Sequence, residues 1–118
     1  MNKVQYDLQP PKLEAVGNGS WKYRWDIESI EVENHDGNLK TMFQCYEVLV
    51  WQTPNVDIVT QAVITENWPQ SVEAKLINDY NAAILNVLSE DFIQPYLAFL
   101  NERNRLKSEI KEYFNEIV

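Results

Sequence analysis

The sequence predicts an α+β fold, an antiparallel three-stranded β-meander followed by a two-helix hairpin. The main observation is a change of hydrophobic period at Asn67-Trp68-Pro69: apolar residues mostly alternate before this point and recur at helical spacing after it. Turn signals at Asp36-Gly37 and Thr53-Pro54-Asn55 divide the alternating part into three strands. A break at Ser89-Glu90-Asp91 divides the remainder into two helices.

Residues 1–19 are predicted to form a flexible arm or an edge strand, and residues 20–118 a single α+β domain. Apolar residues alternate from Val4 to Leu8, as in a short strand. Pro10-Pro11 then removes two donors that a longer ladder would need. The length of 118 residues suits one domain.

The first full strand is predicted over residues 20–33. Its apolar side chains begin on odd positions and continue on even positions, so we expect a β-bulge near Glu28-Ser29. Before the bulge, the odd positions share one face and the charged residues share the other. The apolar members of this strand are Trp21, Tyr23, Trp25, Ile27, Ile30 and Val32.

The second strand, residues 39–52, is apolar on both faces, which is typical of a central strand in a covered sheet. The third strand is predicted over residues 57–66.

Helix 1 opens at Asn67-Trp68-Pro69, where proline suits the first turn. An apolar stripe at helical spacing is predicted along it from Val72 to Leu88. Helix 2 starts near Pro95 and is about 22 residues or roughly 33 Å long, and Arg103 interrupts its apolar stripe.

The net charge is −8, from 10 basic and 18 acidic side chains. A field of this sign repels phosphate backbones and anionic lipids, so neither nucleic acid nor a membrane is an expected partner. No apolar run approaches the ~20 residues that cross a bilayer, and the first residues do not resemble a signal peptide. Cys45, the single cysteine, is expected to be a buried free thiol. These features predict a cytoplasmic protein.

No catalytic, cofactor or metal motif stands out, so the chain is predicted to be no enzyme and to hold no cofactor or metal. His35 is the only histidine, and one His with one Cys cannot supply the usual zinc ligands. Glu47 is the sharpest candidate for chemistry, because a partly buried carboxylate has a raised pKa and can serve a small hydrolase as acid or base. The alternative is a Glu47 paired with Lys22, Arg24 or a tyrosine hydroxyl.

Aromatic side chains are the strongest indication of a binding surface, since the chain has four Trp, six Tyr and four Phe. Helices that cover one sheet face would leave the other face exposed, and large exposed apolar patches bind partners. The aromatic row of the first strand would then either bind a partner or face the core. The expected partner-binding residues are Trp21, Tyr23, Trp25 and Trp51 on the sheet, and Tyr96, Phe99 and Tyr113 on helix 2.

Trp68-Pro69, the run from Leu76 to Ala83, and the run from Tyr96 to Arg103 with Leu106-Lys107 carry a family resemblance. Over residues 68–114 the chain resembles small uncharacterised phage and prophage proteins of the tail-assembly region. The resemblance implies a virion or assembly role made of protein–protein contacts, with no catalytic residues to carry over. It also implies association with a virion as an alternative location.

The expected function is therefore a non-enzymatic interaction module, a self-associating structural or assembly component of a phage or prophage. The alternative is an acidic inhibitor or immunity-type protein that binds a basic enzyme. The salt dependence of binding distinguishes these two hypotheses, because binding to a basic enzyme weakens steeply with ionic strength whereas apolar self-association does not. A small hydrolase that uses Glu47 is a third hypothesis.

Overall fold

The structure is a computed structural model that describes residues 3–116. The chain divides into two compact units with a boundary between Pro54 and Asn55, a division that the sequence pattern did not indicate. The first unit is a sheet and the second is helical. The predicted α+β class is confirmed, although the described residues form four strands and three α-helices instead of three and two.

The sheet unit contains β1 (Val4–Tyr6), β2 (Leu13–Gly17), β3 (Ser20–Glu33) and β4 (Leu39–Val50). The strand order is β1-β4-β3-β2, and every neighbouring pair is antiparallel. The meander is present, but β2, β3 and β4 form it. The segment that was predicted as an arm or an edge strand supplies both edge strands. The central position predicted for β4 is confirmed, because it lies between β1 and β3.

The bulge predicted in β3 is present slightly earlier than expected. The pairing of β3 with β4 shifts register between Trp25 and Glu28. Asp26 takes the left-handed conformation there, with φ of +53°, which an aspartate tolerates better than most residues. Because the register shifts, even-numbered Ile30 and Val32 continue the face that odd-numbered residues occupy before the bulge.

The odd-numbered aromatic row of β3 lies in the core. Tyr23 and Trp25 are 0% and 2% exposed. Trp25 stacks on Tyr23 and on Tyr46, with ring centroids 6.2 Å and 5.7 Å apart. Trp21, at the start of the row, is half-buried. Of the two alternatives for this row, the structure therefore adopts the core.

β3 and β4 extend beyond their neighbours as a two-stranded hairpin. β2 pairs with β3 only up to Tyr23, and β1 pairs with β4 only over residues 43–45. The hairpin arm, which we define as residues 30–42, therefore has no further strand beside it in the described chain. At its turn the N–H of Gly37 donates to the Asn34 carbonyl at 3.1 Å, as the turn signal predicts.

The third predicted strand, residues 57–66, is wrong, because that segment is helix α1 (Val56–Asn67). Its β-branched residues are typical of strands, and a short apolar run fits either period. The Asn55 side chain accepts the Ile58 N–H at 2.8 Å and caps the helix. The buried side chains of α1 lie at helical spacing: Val59, Val63 and Ile64.

The two predicted helices are present as α2 (Gln70–Ile84) and α3 (Ile93–Glu116), joined through a 3-10 turn over Glu90–Phe92. The predicted restart is confirmed, because the Ser89 side chain caps the 3-10 turn by accepting the Asp91 N–H. α3 lies against both α1 and α2.

α2 ends before Leu88, the last residue of the predicted stripe. Asn86 takes the left-handed conformation with φ of +60°. Its N–H donates to the Ala83 carbonyl at 3.0 Å, and the Val87 N–H donates to the Ala82 carbonyl at 2.8 Å. These two bonds form a Schellman cap, which terminates a helix.

The core of the helical unit follows one face of α3. Trp68 meets Phe99 edge-on at 5.0 Å between ring centroids, and Tyr80 stacks on Tyr96 at 4.4 Å. These contacts hold α3 against the end of α1 and against α2. The buried residues of the α3 face are Phe99, Leu106, Ile110 and Phe114.

Candidate interaction surfaces

Arg24 is a buried cation at the centre of the sheet unit, with a side chain that is 2% exposed. It points to the face opposite Tyr23, because neighbouring residues of a strand alternate. Its Nε donates to Glu47 at 3.0 Å and one Nη donates to Glu14 at 2.8 Å. The other Nη donates to the Pro11 carbonyl at 2.9 Å. Arg24 therefore joins groups from β2, β4 and the segment before β2.

That segment, residues 7–12, connects strands at opposite edges of the sheet. It spans three strand spacings, about 14 Å, between β1 and β2, and its contact with the Arg24 side chain places it on the face to which Arg24 points. Pro10 is buried, and the Pro11 carbonyl accepts from Arg24. Arg24 thus holds the crossing segment on the face that also carries Cys45.

Glu47 is paired in the way that the alternative interpretation predicted. Its carboxylate accepts from the Tyr6 hydroxyl and from Arg24, and Lys22 Nζ lies 3.5 Å from its second oxygen. Burial acts to raise the pKa of Glu47, but the hydrogen bonds and the two positive charges hold it below its ordinary value. A general acid requires the opposite shift. The geometry therefore supports a structural ion cluster at Glu47.

Two further groups of this cluster have shifted pKa values. Burial raises the pKa of the Tyr6 phenol, and the hydrogen bond that it donates to Glu47 acts in the same direction. Burial also raises the pKa of the Cys45 thiol, which is 0% exposed. A buried thiol with a raised pKa is a poor nucleophile, so Cys45 is the structural residue that the sequence predicted.

The structure separates the seven expected partner-binding residues into three groups. Tyr23, Trp25 and Phe99 are at most 5% exposed, so they pack in the core, and their partner-binding role stays a prediction that this burial does not favour. Trp51 is 65% exposed directly after β4, and Leu49 beside it is 45% exposed. The half-buried residues are Trp21, Tyr96 and Tyr113.

A larger exposed apolar surface lies where α2 connects to α3. We define the apolar tip as the four side chains of Ile84, Leu85, Val87 and Phe92. Their exposed fractions are 52%, 73%, 73% and 38%. The sequence predicts that Ile84 and Val87 belong to the apolar stripe of helix 1. The Schellman cap at Asn86 ends α2 and turns the following residues out of that stripe.

Over residues 3–116, the helices are each too short or too polar to cross a membrane. The same part of the chain brings together no group of three His, Cys, Asp or Glu side chains that could hold a metal ion.

Comparison of the chain with protein-family models, with curated proteins and with solved structures found no match.

Proposed function

We propose that this protein is a non-enzymatic interaction module that associates with copies of itself as a structural or assembly component. The observation that carries the proposal is the apolar tip, where four large apolar side chains are exposed within a short connection. Complete burial of one such side chain is favourable by about 1.5–3 kcal/mol. A patch of this kind on a small protein favours a partner.

A second copy is the simplest partner for the tip. Two identical tips placed face to face around a two-fold axis bury apolar groups against apolar groups, and the contact closes at a dimer. The four side chains of the tip are uncharged, so the contact that they make resists salt. Trp51 is a second exposed anchor, and it remains available to a further partner.

We assign this module to phage or prophage assembly on the basis of the resemblance over residues 68–114. The apolar tip lies inside the resembling segment. A virion protein acts through repeated contacts between subunits, which is the role that a self-associating tip would serve.

The test is the mass in solution at high salt, measured by size exclusion with light scattering. The wild-type chain is expected to be a dimer. Leu85→Glu/Val87→Glu should weaken the dimer about 100-fold, because two apolar contacts are replaced by buried charges. The matched control, Leu8→Glu/Val16→Glu, changes two residues that are 81% and 49% exposed on the other unit, and it should retain the dimer.

An acidic inhibitor of a basic enzyme is the second candidate function. Glu31, Glu33 and Asp36 of the hairpin arm are exposed, and they form no ion pair with another described residue. A wild-type chain that is monomeric at low and at high salt would favour this candidate and contradict self-association.

A further inference from the structure

Three cations of α3 have no acidic partner among residues 3–116. They are Arg103, Lys107 and Lys111, spaced four residues apart on one side of the helix. Arg103 has a buried Nε that finds no acceptor in the described chain. Each of the other basic residues has an interaction partner. Lys12 lies over the Tyr23 ring, and ion pairs are formed by Lys3, Lys22, Arg24, Lys40, Lys75 and Arg105.

This arrangement is unfavourable in an isolated helix, because like charges four residues apart repel. It is also unexpected in a chain with a net charge of −8, where acidic partners are abundant. We call these three residues the basic line. An acidic group from outside the described chain would relieve the repulsion.

The basic line borders a groove between α1 and α3 with a volume of about 320 Å³. Lys107 and Lys111 line it together with three neutral polar residues, Thr60, Asn104 and Ser108. Asp57 is the one carboxylate of the lining. Cations with neutral hydrogen-bonding groups between them are the surface that a row of carboxylates requires.

The hairpin arm carries such a row. Glu31 and Glu33 point to the same face of β3, and Asp36 follows in the turn. All three are exposed, and none forms an ion pair with another described residue. Within the described residues, no strand lies beside the two strands of the arm, and an isolated two-stranded hairpin is marginally stable in water. A docked partner would stabilise it.

The two rows have matching spacing. Two residues of a strand that share a face are about 6.6 Å apart. Two helix residues four positions apart are separated by about 6 Å along the helix axis. Glu31 and Glu33 can therefore meet Lys107 and Lys111 as two parallel ion pairs.

We propose that the hairpin arm of one copy docks on the basic line of another copy, with Glu31 and Glu33 on Lys107 and Lys111. This inference rests on the proposed self-association and names a second contact for it. The contact joins two different surfaces, so it is head-to-tail and propagates into a ring or a filament. It acts together with the tip dimer, and salt breaks it first.

The test compares the mass of the full chain at low and at high salt. The wild-type chain should exceed a dimer at low salt and return to a dimer at high salt. Lys107→Glu/Lys111→Glu and Glu31→Lys/Glu33→Lys should each weaken the low-salt assembly at least about tenfold. The high-salt dimer should survive in both variants, and circular dichroism checks that both are folded.

The decisive experiment exchanges the charges of the two surfaces. The two variants repel themselves, because each carries like charges on both surfaces. Mixed together they should assemble, and a chain with all four substitutions should assemble alone. Lys75→Glu makes one charge reversal of the same kind on α2, outside both surfaces, and should leave the assembly intact. Lys107→Gln/Lys111→Gln removes the two positive charges without adding negative ones. It serves as a second variant if Lys107→Glu/Lys111→Glu destabilises α3.

Each remaining outcome overturns the inference in a recognisable way. If both reversals leave the low-salt mass unchanged while the high-salt dimer persists, the docking contact is wrong and self-association stands. If only the lysine reversal acts, the basic line binds another acidic group and not the hairpin arm. A wild-type monomer at every salt concentration would overturn both proposals.

Discussion

The sheet unit and the helical unit use their charges in opposite ways. In the sheet unit every described cation has a partner, and Arg24 is buried beneath a crossing segment with two carboxylates. In the helical unit the basic line of α3 has no acidic partner among residues 3–116, and four apolar side chains are exposed at the tip. Polar contacts therefore stabilise the first unit, while the second unit leaves the charged and apolar surface groups on which the proposed self-association depends.

The acidic hairpin arm is the exception within the sheet unit. Its carboxylates are exposed and unpaired in the described chain, like the cations of the basic line. Complementary charges on two different surfaces are the basis of the head-to-tail contact proposed above.

The largest expected effect on stability comes from removing the Trp25 side chain from the core of the sheet unit. Trp25→Ala removes a side chain that is 2% exposed and stacked between two tyrosines, so unfolding should become easier by about 3–5 kcal/mol. Trp51→Ala, at a site that is 65% exposed, should change stability by less than about 0.5 kcal/mol. Urea denaturation measures both, and equal effects would contradict the assignment of Trp25 to the core.

The next effect concerns the buried cation. Arg24→Ala leaves Glu47 partly buried without its arginine partner and frees the Pro11 carbonyl, at a cost of about 3 kcal/mol. The Cys45 thiol should then react faster with a maleimide, because the crossing segment is no longer held on its face. Glu14→Gln removes a half-exposed partner and should cost less than about 1 kcal/mol. An unchanged thiol rate in Arg24→Ala would show that other contacts hold the segment.

The smallest effect tests the corrected helix α1. Asn55→Ala removes the side chain that accepts the Ile58 N–H and should cost about 1 kcal/mol. Asn55→Asp retains an accepting oxygen and should keep most of the stability. If the segment were the strand that its β-branched residues suggested, the two substitutions would have the same small effect. Thermal unfolding of the three proteins distinguishes these results.

The error at α1 shows where local pattern is insufficient. Val56, Ile58, Val59 and Val63 are good strand residues, and their spacing suits both periods over so short a run. The cap at Asn55 was visible in the sequence, but it was interpreted as part of a turn. By contrast, the bulge in β3 was predictable, because its apolar residues change from odd to even positions. In a strand of period two, only a shift of register keeps both sets on one face.

The candidate surfaces were predictable only in part. A pairing of Glu47 with a cation or a tyrosine was foreseen as an alternative, because a charge inside an apolar strand needs a partner. The burial of Tyr23 and Trp25 was left open, since alternation identifies a face without saying what covers it. The apolar tip was missed, because a helical stripe continues smoothly into it and only the left-handed Asn86 ends the helix.

The sequence by itself determined the α+β class, the centrality of β4, the hairpin turn at Gly37 and the long apolar face of α3. These features depend on local period and turn chemistry, which neighbouring residues carry. Only the tertiary structure decided the strand order, the crossing segment over Arg24 and the choice of which charges remain unpaired. Those features depend on contacts between residues far apart in the chain, and each is set by which groups can be buried together and hydrogen-bonded at the same time.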